Sequence, residues 1–197
     1  GGEPPAPPSP NKDGWIVNQG TAAKSIVTAC SGSQGSGWPC WKAVDGKILF
    51  NDASGPNEGW DGAADKNGVE FLEMDLGAVP ALPIDRLAIY SVSKGDDPQW
   101  WPIHNPKDVS ILGRSATTAP WKTLFNGSLV LDPETGTNVI DGWPSAAGKS
   151  RYFRLEISSR GTSGVAETPP SHSYIKEVQF GHAPPKGPPP PPPPAPP

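Results

Sequence analysis

Val69–Gly77 reads V-E-F-L-E-M-D-L-G, and no other stretch restricts the fold as much. Leu72, Met74 and Leu76 fall on one side of an extended chain. Phe71, Glu73 and Asp75 fall on the other, and Gly77 ends the run. A period of two is what a half-buried strand requires, because successive side chains point to opposite faces. Three acidic groups, Glu70, Glu73 and Asp75, are expected on the outward face and exclude a strand buried on both sides. A helix is the competing reading, since Leu72 and Leu76 have helical spacing, but Met74 would then point away from them. The segment reads as one strand of an antiparallel sheet, with the rest of the chain covering its apolar face.

The domain that surrounds this strand is bounded by proline. Of 28 prolines, five lie in Gly1–Pro10 and eleven in Pro184–Pro197. Residues 1–13 therefore read as a Pro-rich arm, 14–182 as a single domain and 183–197 as a polyproline II tail. The domain can bury a core, with 35% hydrophobic residues and eight tryptophans in the chain. A formal net charge of −4 argues against a nucleic-acid partner, which calls for a basic surface. The sequence lacks an apolar run of the roughly 18 residues needed to span a membrane.

Further strands are expected at Trp15–Asn18, Lys24–Ala29, Asp85–Val92, Lys107–Leu112, Trp121–Phe125, Ser128–Leu131, Arg151–Ser158 and Tyr174–Gly181. Trp41–Asp45 suits a short helical turn, and Ser93–Pro106 a long loop. Short strands divided by Gly, Pro and Asn turns, without a convincing amphipathic helix, indicate an all-β sandwich. Enzyme motifs are absent. Gly32–Gly37 lacks the strand–helix unit of a dinucleotide fingerprint, and no nucleophile elbow is present. His104, His172 and His182 are far apart in sequence without ligand spacing, so a non-catalytic protein is expected.

The order of the pieces resembles the discoidin superfamily, which includes the C-type domains of coagulation factors and galactose-binding-like carbohydrate-binding modules. The matching elements are Ala43-x-Asp45-Gly46, Trp60, Phe71–Gly77, Lys107-Asp108-Val109, Tyr152-Phe153-Arg154-Leu155 and Glu177-Val178-x-Phe180-Gly181. The resemblance implies an eight-stranded antiparallel jelly-roll β-sandwich whose loops at one end bind a ligand. It also implies a structural Ca²⁺ site on Asp45 and Glu177, with the Ala43 carbonyl and Asn51 or Asp52 nearby. An Asp-Gly turn offers a carboxylate and carbonyls together, as a six- to eight-oxygen cation demands. The plainer alternative has Asp45 capping a turn and Glu177 meeting a lysine.

Trp38, Trp100, Trp101 and His104 fall in expected loops, where a large apolar ring must pack or bind something. Aromatic rings stack on sugar C–H faces, so these four form the candidate glycan site; the alternative is that Trp100 and Trp101 plug the open end of the sandwich or meet a neighbouring subunit. Cys30 and Cys40 bracket a Gly/Ser loop and are expected to form a disulfide, which implies an oxidising, extracellular compartment. A free pair or a metal site is the other reading, although two cysteines without His partners make a poor zinc site. Asn126-Gly127-Ser128 is an N-glycosylation triplet, expected in a turn between strands.

The seven-proline run of Pro188, Pro189, Pro190, Pro191, Pro192, Pro193 and Pro194 resembles the hydroxyproline-rich glycoproteins of plant and green-algal walls. That resemblance makes these residues candidates for hydroxylation and O-glycosylation. The sequence thus points to a secreted structural or adhesive module of a matrix, wall or surface fibre. Its expected partners are glycans or neighbouring copies of itself. The alternative is a carbohydrate-binding module for galactose-type glycans, tethered by its Pro-rich linkers.

Overall fold

The computed structural model describes residues 15–16, 23–48, 59–65, 67–77, 84–98, 101, 103–143, 150–161 and 172–182. Two proposed regions, the Pro-rich arms and the Asn51–Asp52 pair, lie outside them, as does Trp100. Eleven strands are described. They are β1 (Trp15–Ile16), β2 (Val27–Cys30), β3 (Trp60–Asp61), β4 (Glu70–Asp75), β5 (Arg86–Tyr90) and β6 (Asp108–Arg114). These are followed by β7 (Lys122–Ser128), β8 (Thr137–Asp141), β9 (Tyr152–Ile157), β10 (Tyr174–Ile175) and β11 (Glu177–Gly181). Eight of them are four residues or longer. One helical turn, α1 (Ala23–Ile26), and a 3₁₀ turn at Cys40–Val44 complete the elements.

The strands form an antiparallel sandwich. A five-stranded sheet has the order β2-β4-β9-β6-β7, a four-stranded sheet the order β1-β11-β5-β8, and β3 pairs with β10 in a small ribbon. The strand at Glu70–Asp75 lies second from the edge of the larger sheet, between β2 and β9. Its burial alternates as the sequence dictates, with Leu72 and Met74 inward and Phe71, Glu73 and Asp75 half-exposed. The inward side chains of the two sheets merge into one core, where Phe153 of β9 and Phe180 of β11 meet at 4.9 Å between ring centroids. Tilted ring pairs at that spacing add to the burial of two large side chains.

Several local expectations are corrected. Glu70 shares the inward parity of Leu72 and is fully buried. Of Lys24–Ala29, the first residues form a helical turn rather than strand. Val27 pairs with Met74, one residue before β4 ends, so the residues ahead of it have no ladder to join. Trp121–Phe125 and Ser128–Leu131 are not separate strands. Asn126 sits inside β7, opposite Ser110, because β6 supplies an unbroken partner where N-G-S reads as a turn. Tyr174–Gly181 breaks at Lys176, so that β10 pairs with β3 while β11 pairs with β5. Strand β8 carries few apolar residues, with Val139 exposed on an edge, and its sequence gives no alternation to find it by.

The registers define two poles. Glu70, Ile157, Asp108, Tyr90 and Glu177 lie at one end of the sandwich, and the described residues 67–69, 91–98 and 158–161 adjoin it. Asp75, Tyr152, Arg114, Arg86 and Gly181 lie at the other. Trp15 pairs with Gly181, so the first residue of β1 and the last residue of β11 lie side by side at the second pole.

Candidate functional site

The first pole is built around a buried carboxylate. Glu70 opens β4 with no solvent exposure, and its Oε1 accepts hydrogen bonds from Arg160 Nε and Nη2. The Ser173 backbone N–H reaches both carboxylate oxygens, at 2.9 and 3.0 Å. A charge removed from water needs this degree of compensation. Gly62 permits the arrangement, since a Cβ there would lie 3.0 Å from Glu70 Oε2 and 3.1 Å from the Trp60 ring.

Asp61, the last residue of β3, is the second buried acid. Burial, reinforced by the charge of Glu70, pushes its carboxyl up to about 7. His172 Nε2 stands 3.4 Å from Asp61 Oδ1. Burial, aided by the positive fields of His104 and Arg160, drives that imidazole down to about 4. His104 stacks on His172 with centroids 4.4 Å apart and planes 29° apart. The Tyr174 N–H donates to the His104 carbonyl at 2.8 Å, fixing the loop that carries it. The result is two stacked imidazoles over two buried acids and a guanidinium. Such a set combines an apolar ring face with hydrogen-bond donors and acceptors, which is what a polyhydroxylated ligand needs.

The disulfide loop borders the same corner. Cys30 and Cys40 are bonded. Within their loop the Gly32 carbonyl accepts from buried Trp60 Nε1–H at 2.8 Å, and Gln34 N–H donates to the Asp61 carbonyl at 3.0 Å. Trp38 lies half-buried over Gly35 in this loop, and Lys42 Nζ donates to Gly37 O. Trp101 is half-buried and its backbone N–H donates to the Asp97 carbonyl. Of the three described ring residues expected to bind a glycan, Trp38, Trp101 and His104, it is His104 that joins the histidine–acid cluster.

Asp61, Glu70, Arg160 and His172 were not legible as site residues. His104 and His172, far apart in sequence, are brought into contact by the fold. The one usable signal was Trp60, whose neighbour Asp61 comes with it into the pole.

The Asp45–Gly46 turn and Glu177 do meet. Glu177 opens β11 with no solvent exposure, and its Oε2 accepts the Gly46 N–H at 3.1 Å. Gly46 has φ +84°, a conformation that a side chain would strain. Asp45 is buried, and its Oδ1 accepts the Lys47 N–H. Burial, followed by the charge of Asp45, pushes the Glu177 carboxyl up to about 9. Glu177 Oε1 has no hydrogen-bond partner among the described residues. An unsatisfied buried carboxylate oxygen beside a second buried acid fits a hard cation. Ala43 is fully buried in the 3₁₀ turn leading to Asp45. Among the described residues no three His, Cys, Asp or Glu side chains converge on one metal position, so the remaining oxygens would have to be carbonyls or water.

No protein-family profile matches the chain, and no curated relative matches it. Solved structures do. The family 32 carbohydrate-binding module of Streptococcus pneumoniae EndoD aligns over 86% of this chain and 99% of its own length, at 13% identity and TM-score 0.53. The family 32 module of Clostridium perfringens NanJ, solved in complex with galactose, aligns over 80% of this chain and 94% of its own, at 14% identity and TM-score 0.50. Allantoicase from Saccharomyces cerevisiae aligns over 90% of this chain but 46% of its own length, at 10% identity and TM-score 0.56. The chain therefore has the galactose-binding-like antiparallel β-sandwich fold seen in family 32 carbohydrate-binding modules.

Proposed function

We propose that this domain binds glycans through the pole formed by Asp61, His104, Arg160 and His172. The observation that carries the reading is the stacked His104–His172 pair beside the buried Asp61 at the loop end of a galactose-binding-like sandwich. The imidazole edges and the guanidinium supply donors, and the Asp61 carboxyl group supplies an acceptor oxygen. Galactose-type sugars are the class to test, because a solved structure of this fold holds galactose. The fold by itself hosts many functions, so the site must bear the proposal.

The test is calorimetric titration of galactose, N-acetylgalactosamine and their β-linked disaccharides into the full chain. Saturable binding abolished by His104→Ala, with the melting temperature unchanged, is the expected result. Absence of binding by any arrayed glycan to a chain with native circular dichroism would overturn the proposal.

A structural Ca²⁺ belongs to the same reading. Asp45 and Glu177 would hold it with carbonyls of the 43–46 segment, and the ion would neutralise two buried acids and fix the turn. The disulfide agrees with an oxidising compartment, so the domain is read as extracellular. A secreted structural or adhesive module remains the second reading, favoured by the proline content of the two arms. Both readings share one geometry: Trp15 and Gly181, the ends of the described strands β1 and β11, lie at the pole opposite the candidate site.

A further inference from the structure

The second pole carries a feature that glycan binding at the first does not use. On the outward face of the five-stranded sheet, aromatic rings and guanidinium groups are stacked together. The Arg114 guanidinium lies 4.1 Å from the Trp121 ring centroid and 5.5 Å from that of Tyr152. Arg151 lies 5.1 Å from the Tyr152 ring, and Arg154 lies 3.9 Å above Phe71. Three of these residues cluster at the end of the sheet, where Tyr152 is paired with both Asp75 and Arg114. Trp121 enters β7 beside them, next to Lys122, the partner of Gly113. Rigid strands hold the rings in place, so little entropy is lost when a ligand packs on them.

Charge narrows the partner. Arg151 pairs with Asp75 through two bonds of 2.7 and 2.8 Å. Arg154 bonds Glu73 at 2.9 Å, and Arg114 lies 4.0 Å from the same carboxylate. Arg154 also pairs with Glu156 at 2.8 Å, so Glu73, Asp75 and Glu156 balance the three guanidinium groups and leave no excess of their positive charge for phosphate or sulfate. What it offers is half-buried ring surface together with N–H groups. A matching ligand is apolar, uncharged and rich in hydrogen-bond acceptors.

A proline run meets that description, because each residue presents an apolar ring and a carbonyl but no N–H. Aromatic platforms are the usual receptors for such runs. This chain contains one of its own in residues 184–197, with eleven prolines and a single charged residue, Lys186. The geometry points to the Trp121–Arg114–Tyr152 platform as a docking surface for this chain's proline-rich segment 184–197, from the same copy or a neighbouring one. Strand β11 ends at Gly181, opposite Arg86, at the pole where the platform lies. The segment starts three residues later. At about 3.1 Å per residue in polyproline II its fourteen residues reach roughly 43 Å, enough to cross the sheet end or to meet another copy.

The test uses the full chain with Ala195→p-benzoylphenylalanine, irradiated and digested, with cross-links mapped by mass spectrometry. Cross-links to peptides containing Arg114–Trp121 or Arg151–Tyr152, within a chain or between chains, are expected. Trp121→Ala should lower their yield about tenfold, as loss of a central aromatic contact does. Arg114→Gln should lower it too, which covers the case in which the tryptophan variant fails to fold. Cross-links confined to other surfaces, or none at all, would overturn the assignment. Glycan binding at the first pole should be unaffected by Arg114→Gln, so failure of one proposal is separable from failure of the other.

Discussion

His172 Nε2 stands 3.4 Å from Asp61 Oδ1, and burial holds both groups toward their neutral forms. Their effects on stability have opposite signs. Folded His172 titrates at about 4, below its ordinary 6.5, so between those values the unfolded chain takes up a proton that the folded chain refuses. Stability from this group falls as pH drops through that window. Folded Asp61 titrates at about 7, above its ordinary 3.8, so the folded chain keeps a proton the unfolded chain releases. Stability from Asp61 falls as pH rises through its own window. Each effect is on the order of a few kcal/mol, and they offset where the windows overlap. Relative to the parent chain, Asp61→Asn should therefore gain stability as pH rises from 4 to 7, and His172→Gln as pH falls from 6.5 to 4. Urea denaturation across that range measures both differences; parallel profiles would show that the groups titrate normally.

Glu70 and Arg160 form the most enclosed ion pair described, with the carboxylate fully buried and the guanidinium side chain 17% exposed. Removing one partner leaves the other charge without compensation, which typically costs about 3–5 kcal/mol. Arg160→Met should approach that loss. Combined with Glu70→Gln it should recover part of it, giving a coupling of about 1–3 kcal/mol in a double-mutant cycle. Additive single losses would mean that the pair does not stabilise the pole as a unit.

The difference between what sequence reveals and what it hides follows from the range of the interactions. Leu72, Met74 and Leu76 announce the core because alternation is a property of neighbouring residues, and Phe153, Leu155 and Ile157 do the same. Asp45 and Glu177 were found through the resemblance, and the fold places them together. The histidine pole was hidden because His104 and His172 meet only after two long loops return to β3. No local pattern encodes a contact of that kind. Glu70 shows the converse: a charge in an apolar register looks like an interruption until Arg160 and Ser173 are seen beside it.

Cys30 and Cys40 close a short loop, with ten residues of separation. The chain-entropy estimate for a loop of that size is roughly 2–3 kcal/mol. Replacing both cysteines by alanine should lower the melting temperature by about 5–10 °C in a domain of this size. The same loop presents the Gly32 carbonyl to Trp60 and the Gln34 N–H to Asp61. Glycan affinity should therefore fall in the double variant even at temperatures where it is fully folded. Unchanged affinity would separate the disulfide from the site.

Glu177 gives the clearest test of a bound cation. Its Oε1 has no hydrogen-bond partner among the described residues, its Oε2 takes the Gly46 N–H, and the buried Asp45 adds a second negative charge. Without a cation this corner holds two acids that disfavour each other's ionisation; with one, both are stabilised as carboxylates. A ligand that binds the folded chain alone contributes about 2.7 kcal/mol at a hundredfold excess over its dissociation constant. Adding millimolar Ca²⁺ to chelator-treated protein should then raise the melting temperature by about 5–10 °C. Mg²⁺ should raise it less, because it demands octahedral geometry and dehydrates reluctantly. Glu177→Gln keeps an oxygen for the Gly46 N–H but removes the charge. It should be as stable as, or more stable than, the parent in chelator, and should lose the response to Ca²⁺. A calcium response that survives this substitution would place the ion elsewhere, and no response in the parent chain would leave Glu177 as a buried acid held neutral.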